Sequence, residues 1–169
     1  MTFLRHIRHV GESAGVCLFA LFIPPLPRTI VVLLSRALGW VGFVCARRLR
    51  RLATANLDVA FGSSMSVTEK DAIVLESFRT FALVLLDLFW FSWFPRTRIR
   101  RYVSFDSSFD WYFKTAPVIA VTAHLGNWEV MGQAAALAGK PSLSIAAPLE
   151  NAFVDRFLPG HNLRSLEEL

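Results

Sequence analysis

The apolar residues of the first half of the chain recur at helical spacing. Between residues 29 and 46 they follow a period of about 3.6 positions, and Arg36 is the only charged side chain in this stretch. The period predicts an amphipathic helix, and the apolar content predicts that the helix lies on or in a bilayer. A basic cluster follows at once, which we expect to face anionic headgroups on the cytoplasmic side of a membrane: Arg47, Arg48, Arg50 and Arg51. The alternative is a helix of a soluble core with a solvated, charged end.

A shorter apolar run, residues 16–23, lies nearer the N-terminus, and Pro24, Pro25 and Pro27 interrupt it. The uncharged stretch that contains this run is shorter than the roughly eighteen to twenty residues of a spanning helix. We therefore predict a short anchor. Residues 1–60 are assigned to an N-terminal membrane anchor and amphipathic helix, and residues 61–169 to a second domain.

A capping box marks the start of the next helix. Ser66 and Glu69 stand three residues apart before an apolar run, which predicts a helix over residues 67–91. The end of this helix is apolar on nearly every side. Its aromatic cluster therefore either lies at a membrane interface or packs in a large core: Phe89, Trp90, Phe91, Trp93 and Phe94.

A second basic cluster follows Pro95 and consists of Arg96, Arg98, Arg100 and Arg101. It suits either recognition of a phosphate or carboxylate, or a solvated turn.

The pattern changes beyond Pro117, where short β-branched runs replace the helical period. Residues 118–122 and 142–147 predict two buried strands, and residues 129–138 predict a helix that Gly139 ends. Strand, helix and strand form a βαβ unit. The predicted fold class is therefore α/β, with membrane-associated N-terminal helices followed by an incomplete sheet domain.

Composition narrows the class of partner. Hydrophobic residues make up 54% of the chain and charged residues 18%, which excludes a disordered protein. The net charge of +5, carried mostly by arginine, calls for an anionic partner. Five Trp and fifteen Phe favour membrane lipid over nucleic acid, so we expect no nucleic-acid partner.

Cys17 and Cys45 lie in apolar runs without metal-ligand spacing, which predicts small buried side chains and no metal site.

Candidate chemistry lies between the first predicted strand and the helix after it. His124 and Glu129 are five residues apart, and on a regular helix they would point away from each other. They meet only across a turn, and Gly126 and Asn127 are the residue types that most easily adopt left-handed conformations. An imidazole oriented by a carboxylate is a general base. The alternative is a histidine that caps a helix and a glutamate that only stabilises its first turn.

The sequence AHLGNWE, residues 123–129, resembles the His-x-x-x-x-Glu motif of the bacterial lipid A biosynthesis acyltransferases, the lauroyl and myristoyl transferase branch of the lysophospholipid acyltransferase superfamily. Two further segments resemble the family in the same order along the chain. They are RRLATANLDVAFG, residues 50–62, and PLENAFVDRFL, residues 148–158.

The resemblance implies transfer of a fatty acyl group from acyl carrier protein, or acyl-coenzyme A, to a hydroxyl of a lipid A precursor. It places this activity at the cytoplasmic face of the bacterial inner membrane, without a cofactor or metal. By the same resemblance His124 would deprotonate the hydroxyl and Glu129 would orient the imidazole. The candidate substrate-binding residues are Gly126, Asn127, Arg156 and Arg164.

Members of the family are longer than this chain, so we expect it to be an N-terminal part of an acyltransferase-type domain. An inactive truncated fragment and a membrane-anchored protein that binds anionic lipid or carrier protein are the alternatives. A glycerolipid acyltransferase of the same superfamily is a further alternative, but its motif usually ends in aspartate, where this chain has Glu129.

Overall fold

A computed structural model describes residues 2–115, 117–119, 121, 125–140 and 150–156. These residues form seven α-helices and two short 3-10 turns, at 62–64 and 107–109, and residues 152–156 are also helical. The helices are α1 Thr2–Phe22, α2 Arg28–Cys45, α3 Arg47–Phe61, α4 Val67–Trp90, α5 Pro95–Tyr102, α6 Asp110–Lys114 and α7 Trp128–Leu137.

The predicted α/β fold is wrong, because the described part of the chain is helical and contains no strand. Of the first predicted strand, the described residues 118, 119 and 121 have no strand structure, and Ile119 and Val121 are 93% and 94% exposed. β-branched side chains favour a strand only when a neighbouring strand pairs with it and one face is covered. The second predicted strand, residues 142–147, lies outside the described residues.

The chain divides into two compact units. One comprises Met1–Pro25 and Leu88–Leu169, and the other comprises Leu26–Asp87. The predicted boundary between residues 60 and 61 separates a membrane anchor from a domain that carries the chemistry. This division stays a prediction.

In the second unit, small residues bring α2 and α4 together. Val31, Ser35 and Gly39 recur every four residues on α2 and are buried. A Cβ atom at Gly39 would lie 2.5 Å from the Cα of Arg79 and 2.7 Å from its backbone nitrogen. The two helix backbones therefore approach so closely that only glycine fits. The helix predicted over residues 29–46 is confirmed. By length and composition alone, α2 is the one described helix that could cross a membrane.

Charged side chains hold the ends of this unit. Arg28, at the start of α2, binds both carboxylate oxygens of Asp87 near the end of α4, and Asp87 is 3% exposed. At the other end of α4, the buried Lys70 donates to Asp58 Oδ1 over 2.6 Å and to the carbonyl oxygen of Gly62 over 2.7 Å. Both buried charges are paired, which is the condition under which burial of a charge is tolerated.

The predicted capping box begins α4. The backbone N–H of Ser66 donates to Glu69 over 2.8 Å, and the backbone N–H of Glu69 faces the Ser66 hydroxyl at 3.3 Å. The helix predicted over residues 67–91 is also confirmed, since α4 spans Val67–Trp90. Hydrogen bonds from the Ser66 hydroxyl and then from its backbone N–H lower the pKa of Glu69 from its usual 4.5.

In the first unit, the aromatic cluster divides between core and surface. Phe89, Trp90 and Phe91 are buried, and the ring of Phe89 meets that of Phe19 of α1 edge to face at 5.7 Å. Trp93 and Phe94 are exposed. The core interpretation therefore holds for the first three aromatic residues and not for the last two.

Replacement of Gly39 by alanine tests the close approach of α2 and α4. We expect Gly39→Ala to lower the free energy of unfolding by about 1–3 kcal/mol, because the added methyl group meets backbone atoms of Arg79 that cannot rotate away. Thermal and chemical unfolding followed by circular dichroism in detergent measures the change.

Gly11→Ala is the matched control, since Gly11 is also within a helix and a Cβ there meets nothing within 4 Å. It should stabilise the protein by about 0.5–1 kcal/mol through helix propensity. Equal effects of the two substitutions would contradict the predicted clash.

The capping box makes a prediction about pH. A carboxyl group whose folded pKa is lowered stabilises the fold above its unfolded pKa, and this stabilisation is lost as the pH falls through the lowered value. For Glu69 the loss therefore occurs below about pH 4.5. In Ser66→Ala, NMR titration of the Glu69 side chain should give a pKa closer to 4.5 than in the wild type. An unchanged pKa would contradict the role of the Ser66 hydroxyl.

Candidate functional site

A bend at Gly126 leads into α7. Gly126 has φ 63°, so the predicted left-handed conformation is confirmed at this residue. Asn127 instead has φ −101° and is the N-cap of α7, where its side-chain Oδ1 accepts the backbone N–H of Val130 over 3.1 Å. Gly139, at φ 89°, follows the end of the helix, as the sequence predicted. Glycine has no Cβ to oppose positive φ, which explains its place at both points.

Glu129 lies in the first turn of α7 and is half-buried. The indole N–H of Trp128 donates to its Oε1 over 3.2 Å. A carboxylate in this position is stabilised by the positive end of the helix dipole, and a hydrogen bond from the indole limits its rotation. The structure therefore holds one oxygen of Glu129 in a defined position beside the turn.

Two of the predicted site residues, His124 and Arg164, lie outside the described residues. The pairing of His124 with Glu129 accordingly stays a prediction. Arg156 is described and is exposed, at the end of the helical residues 152–156.

The segment that carries Arg156 is bound to α1. Asn151 is buried, and its side-chain Nδ2 lies 2.9 Å from the carbonyl oxygen of His9, 3.0 Å from Glu12 Oε2 and 3.3 Å from Ser13 Oγ. Its Oδ1 accepts the backbone N–H of Phe153 over 3.1 Å. Sequence analysis missed this residue, although an asparagine before a short apolar segment is a recognisable helix cap.

An ion pair accompanies these contacts. Arg8 of α1 binds the carboxylate of Glu150 and lowers its pKa, and Arg5 contributes through its charge. The N-terminal helix thus uses a basic residue to hold the start of the segment that carries Arg156.

The second basic cluster supplies half of the residues of α5, and α5 contacts α7. Arg98 serves the fold, since its guanidinium donates to the carbonyl oxygens of Trp90 and Pro24, the latter over 2.8 Å, and lies 4.1 Å from the Trp90 ring centre. Burial lowers the pKa of Arg98. Arg96, Arg100 and Arg101 are exposed. One arginine of the cluster, Arg98, therefore stabilises the fold, and the other three are exposed to solvent.

Among the residues that the structure describes, no group of three His, Cys, Asp or Glu side chains converges. Cys17 and Cys45 are free and exposed. The prediction that these cysteines are buried is therefore wrong.

Comparison with known proteins gives one family. The sequence model of the family described as bacterial lipid A biosynthesis acyltransferase matches residues 1–161. No curated protein and no solved structure matches the chain. The match covers α1 to α7, the turn at Gly126 and the segment that carries Arg156.

The cap of α7 can be tested through stability. We expect Asn127→Ala to lower the free energy of unfolding by about 1 kcal/mol, because the backbone N–H of Val130 loses its acceptor. Asn127→Ser is the matched control, since serine is also a good N-cap, and it should retain most of the stability. Urea unfolding measures both. An equal loss in the two variants would contradict the capping role.

Proposed function

Because the chain belongs to the bacterial lipid A biosynthesis acyltransferase family, we propose that it transfers a fatty acyl group from the thioester of acyl carrier protein to a hydroxyl of a lipid A precursor. Acyl transfer in lipid A biosynthesis follows from membership, and the family is associated with the bacterial inner membrane. The proposal includes three finer points. They are the donor, which is acyl carrier protein or alternatively acyl-coenzyme A, the His124–Glu129 base, and the location at the cytoplasmic face of the membrane. The single observation that carries it is the family match over residues 1–161, which includes the AHLGNWE motif.

The proposed reaction is direct attack of the acceptor on the thioester. His124 removes the proton of the acceptor hydroxyl as the oxygen forms its bond to the thioester carbonyl carbon. The tetrahedral intermediate then expels the thiolate of the donor, which takes up the proton from the imidazolium. The products are an ester on the acceptor and a free thiol on the carrier. The Gly-x-Ser-x-Gly sequence of the chain, residues 11–15, lies inside helix α1 and not at a strand-to-helix turn, and the Ser13 hydroxyl donates to the carbonyl oxygen of His9, which favours this route over a covalent acyl-enzyme.

Glu129 is proposed to orient His124 and to stabilise its charged form. Two features support this role. The carboxylate lies in the first turn of α7, three residues after a left-handed glycine, and the indole of Trp128 donates a hydrogen bond to one of its oxygens. A turn is the arrangement that lets side chains five residues apart face each other. Gly126 and Asn127 are proposed to shape this turn beside the substrate.

Anionic parts of the substrates are proposed to bind arginines. The exposed Arg96, Arg100 and Arg101 lie on α5, which contacts α7, so they are well placed for a phosphate or an acidic carrier. Arg156 is exposed and its segment is held by Asn151, which suits a second cationic contact. Arg164 is proposed from the sequence alone.

Replacement of the proposed base tests the function. With purified protein, acyl carrier protein thioester and lipid A precursor, His124→Ala should lower kcat/KM by about a hundredfold or more. Glu129→Gln should also lower the rate, because the amide cannot stabilise an imidazolium charge. His6→Ala is the matched control, since His6 is an exposed residue of α1, and it should keep the wild-type rate.

The donor and the alternatives are separated in the same assay. A rate that is higher with carrier-protein thioester than with acyl-coenzyme A supports the proposed donor. Equal rates for wild type and His124→Ala would contradict the proposed base. A wild-type chain that binds anionic lipid or carrier protein but transfers no acyl group from either donor would contradict catalysis and favour the inactive or binding alternatives.

A further inference from the structure

Helix α2 turns a stripe of smaller residues inward and most of its large apolar residues outward. The inward stripe is Val31, Ser35 and Gly39, while Leu33 and Trp40 are 53% and 55% exposed. The whole outward face is apolar and exposed: Ile30, Leu33, Leu34, Leu38, Val41 and Val44. We call these six residues the outer face of α2. Exposed apolar surface of this extent normally marks a binding surface for a protein or a membrane.

We propose that α2 lies flat in the surface of an anionic phospholipid bilayer, with its outer face among the lipid chains, and does not cross the membrane. This inference rests on the proposed membrane function and specifies which surface meets the lipid and in which orientation.

The charges around α2 identify the occupant as anionic lipid. Arg47, Arg48 and Arg51 are exposed and follow α2 directly in the chain. Arg36 and Trp40 are one turn apart and lie together on one flank of that face, and both are exposed. Arginine beside phosphates and tryptophan at the headgroup level are the residue types that an interfacial helix uses.

The packing of α4 argues against a spanning orientation. Gly39 is about 4 Å from the midpoint of α2 along its axis and meets the backbone of Arg79. Arg79 forms an ion pair with Glu76, one turn earlier on α4. If α2 crossed the bilayer, this pair would lie near its centre, where charged side chains are costly. In the flat orientation α4 lies on the water side of α2, and Glu76 and Arg79 stay near water.

Vesicle binding tests the surface. The full chain is mixed with preformed vesicles of phosphatidylcholine alone or with phosphatidylglycerol, and bound protein is measured by flotation. Wild type should bind the anionic vesicles at least tenfold more strongly than the neutral ones. Leu33→Glu/Val44→Glu and Arg47→Glu/Arg48→Glu should each lower binding to anionic vesicles about tenfold or more, because they remove the apolar and the charged contact respectively.

Val67→Glu is the matched control for the apolar change. Val67 is 75% exposed at the first residue of α4, where an acidic side chain suits the helix dipole, and this variant should bind as wild type does. Circular dichroism checks that all variants keep their helices. Wild-type binding by a folded Leu33→Glu/Val44→Glu variant would overturn the proposal. The proposal would also be overturned if light scattering showed that the wild type is a dimer and that this variant is not. A second copy of the chain would then cover the outer face of α2.

Cysteine labelling tests the orientation. A first protein, Cys17→Ser/Cys45→Ser/Arg51→Cys, carries its only thiol just beyond the C-terminal end of α2, where Arg51 is exposed. A second protein, Cys17→Ser/Cys45→Ser/Thr29→Cys, carries its thiol at the other end. With protein added outside intact vesicles, a membrane-impermeant maleimide should label both proteins at comparable rates. Labelling of only one end would mean a spanning helix and would overturn the proposal.

The failure of this inference is distinguishable from failure of the proposed function, because binding and labelling need no turnover. His124→Ala should bind vesicles as wild type does. A protein that transfers acyl groups but does not bind through α2 would refute the docking surface alone.

Discussion

The second unit depends on one close approach, that of α2 to α4 at Gly39. Val31, Ser35 and Gly39 form a buried stripe on α2, and a Cβ at Gly39 would lie 2.5 Å from the Cα of Arg79. Two helices that meet this closely gain dispersion contacts between their backbones, and the rings of Phe43 of α2 and Phe78 of α4 meet edge to face at 6.2 Å. Most of the other large apolar residues of α2 are left on the outside. The same constraint that holds the unit together thus creates a surface that suits lipid better than water.

Short-range patterns in the sequence predicted much of the local structure. The capping box at Ser66 and Glu69, the helix over residues 29–46, the left-handed Gly126 and the helix end at Gly139 all agree with the structure. Each of these features depends on residues within one or two turns of each other. Each can therefore be predicted from the sequence without knowledge of the tertiary fold.

Features that depend on distant partners could not be predicted in the same way. The residues around Ile119 and Val121 have the composition of a strand, but a strand needs a neighbour to share its hydrogen bonds, and the described residues supply none. Arg98 and Arg100 look alike in sequence, yet only Arg98 turns inward to backbone carbonyls. The partners of Asn151 lie about 140 positions earlier in the chain, so local spacing contains no sign of them. For the candidate site, the left-handed Gly126 and the place of Glu129 at a helix start could be predicted from the sequence, whereas the cap at Asn127 and the supporting contacts could not.

The Arg98 contact limits which residue can occupy that position. Its guanidinium reaches two carbonyl oxygens that are 66 positions apart in the chain, those of Pro24 and Trp90, while its flat side covers an indole ring. A lysine would keep the positive charge but has a single compact ammonium group without a planar surface, so it cannot make all three contacts at once. Replacement of Arg98 by lysine would therefore weaken the packing between the two places where proline interrupts the helices, Pro24 and Pro95. In this part of the molecule, the shape of the cation matters more than its charge.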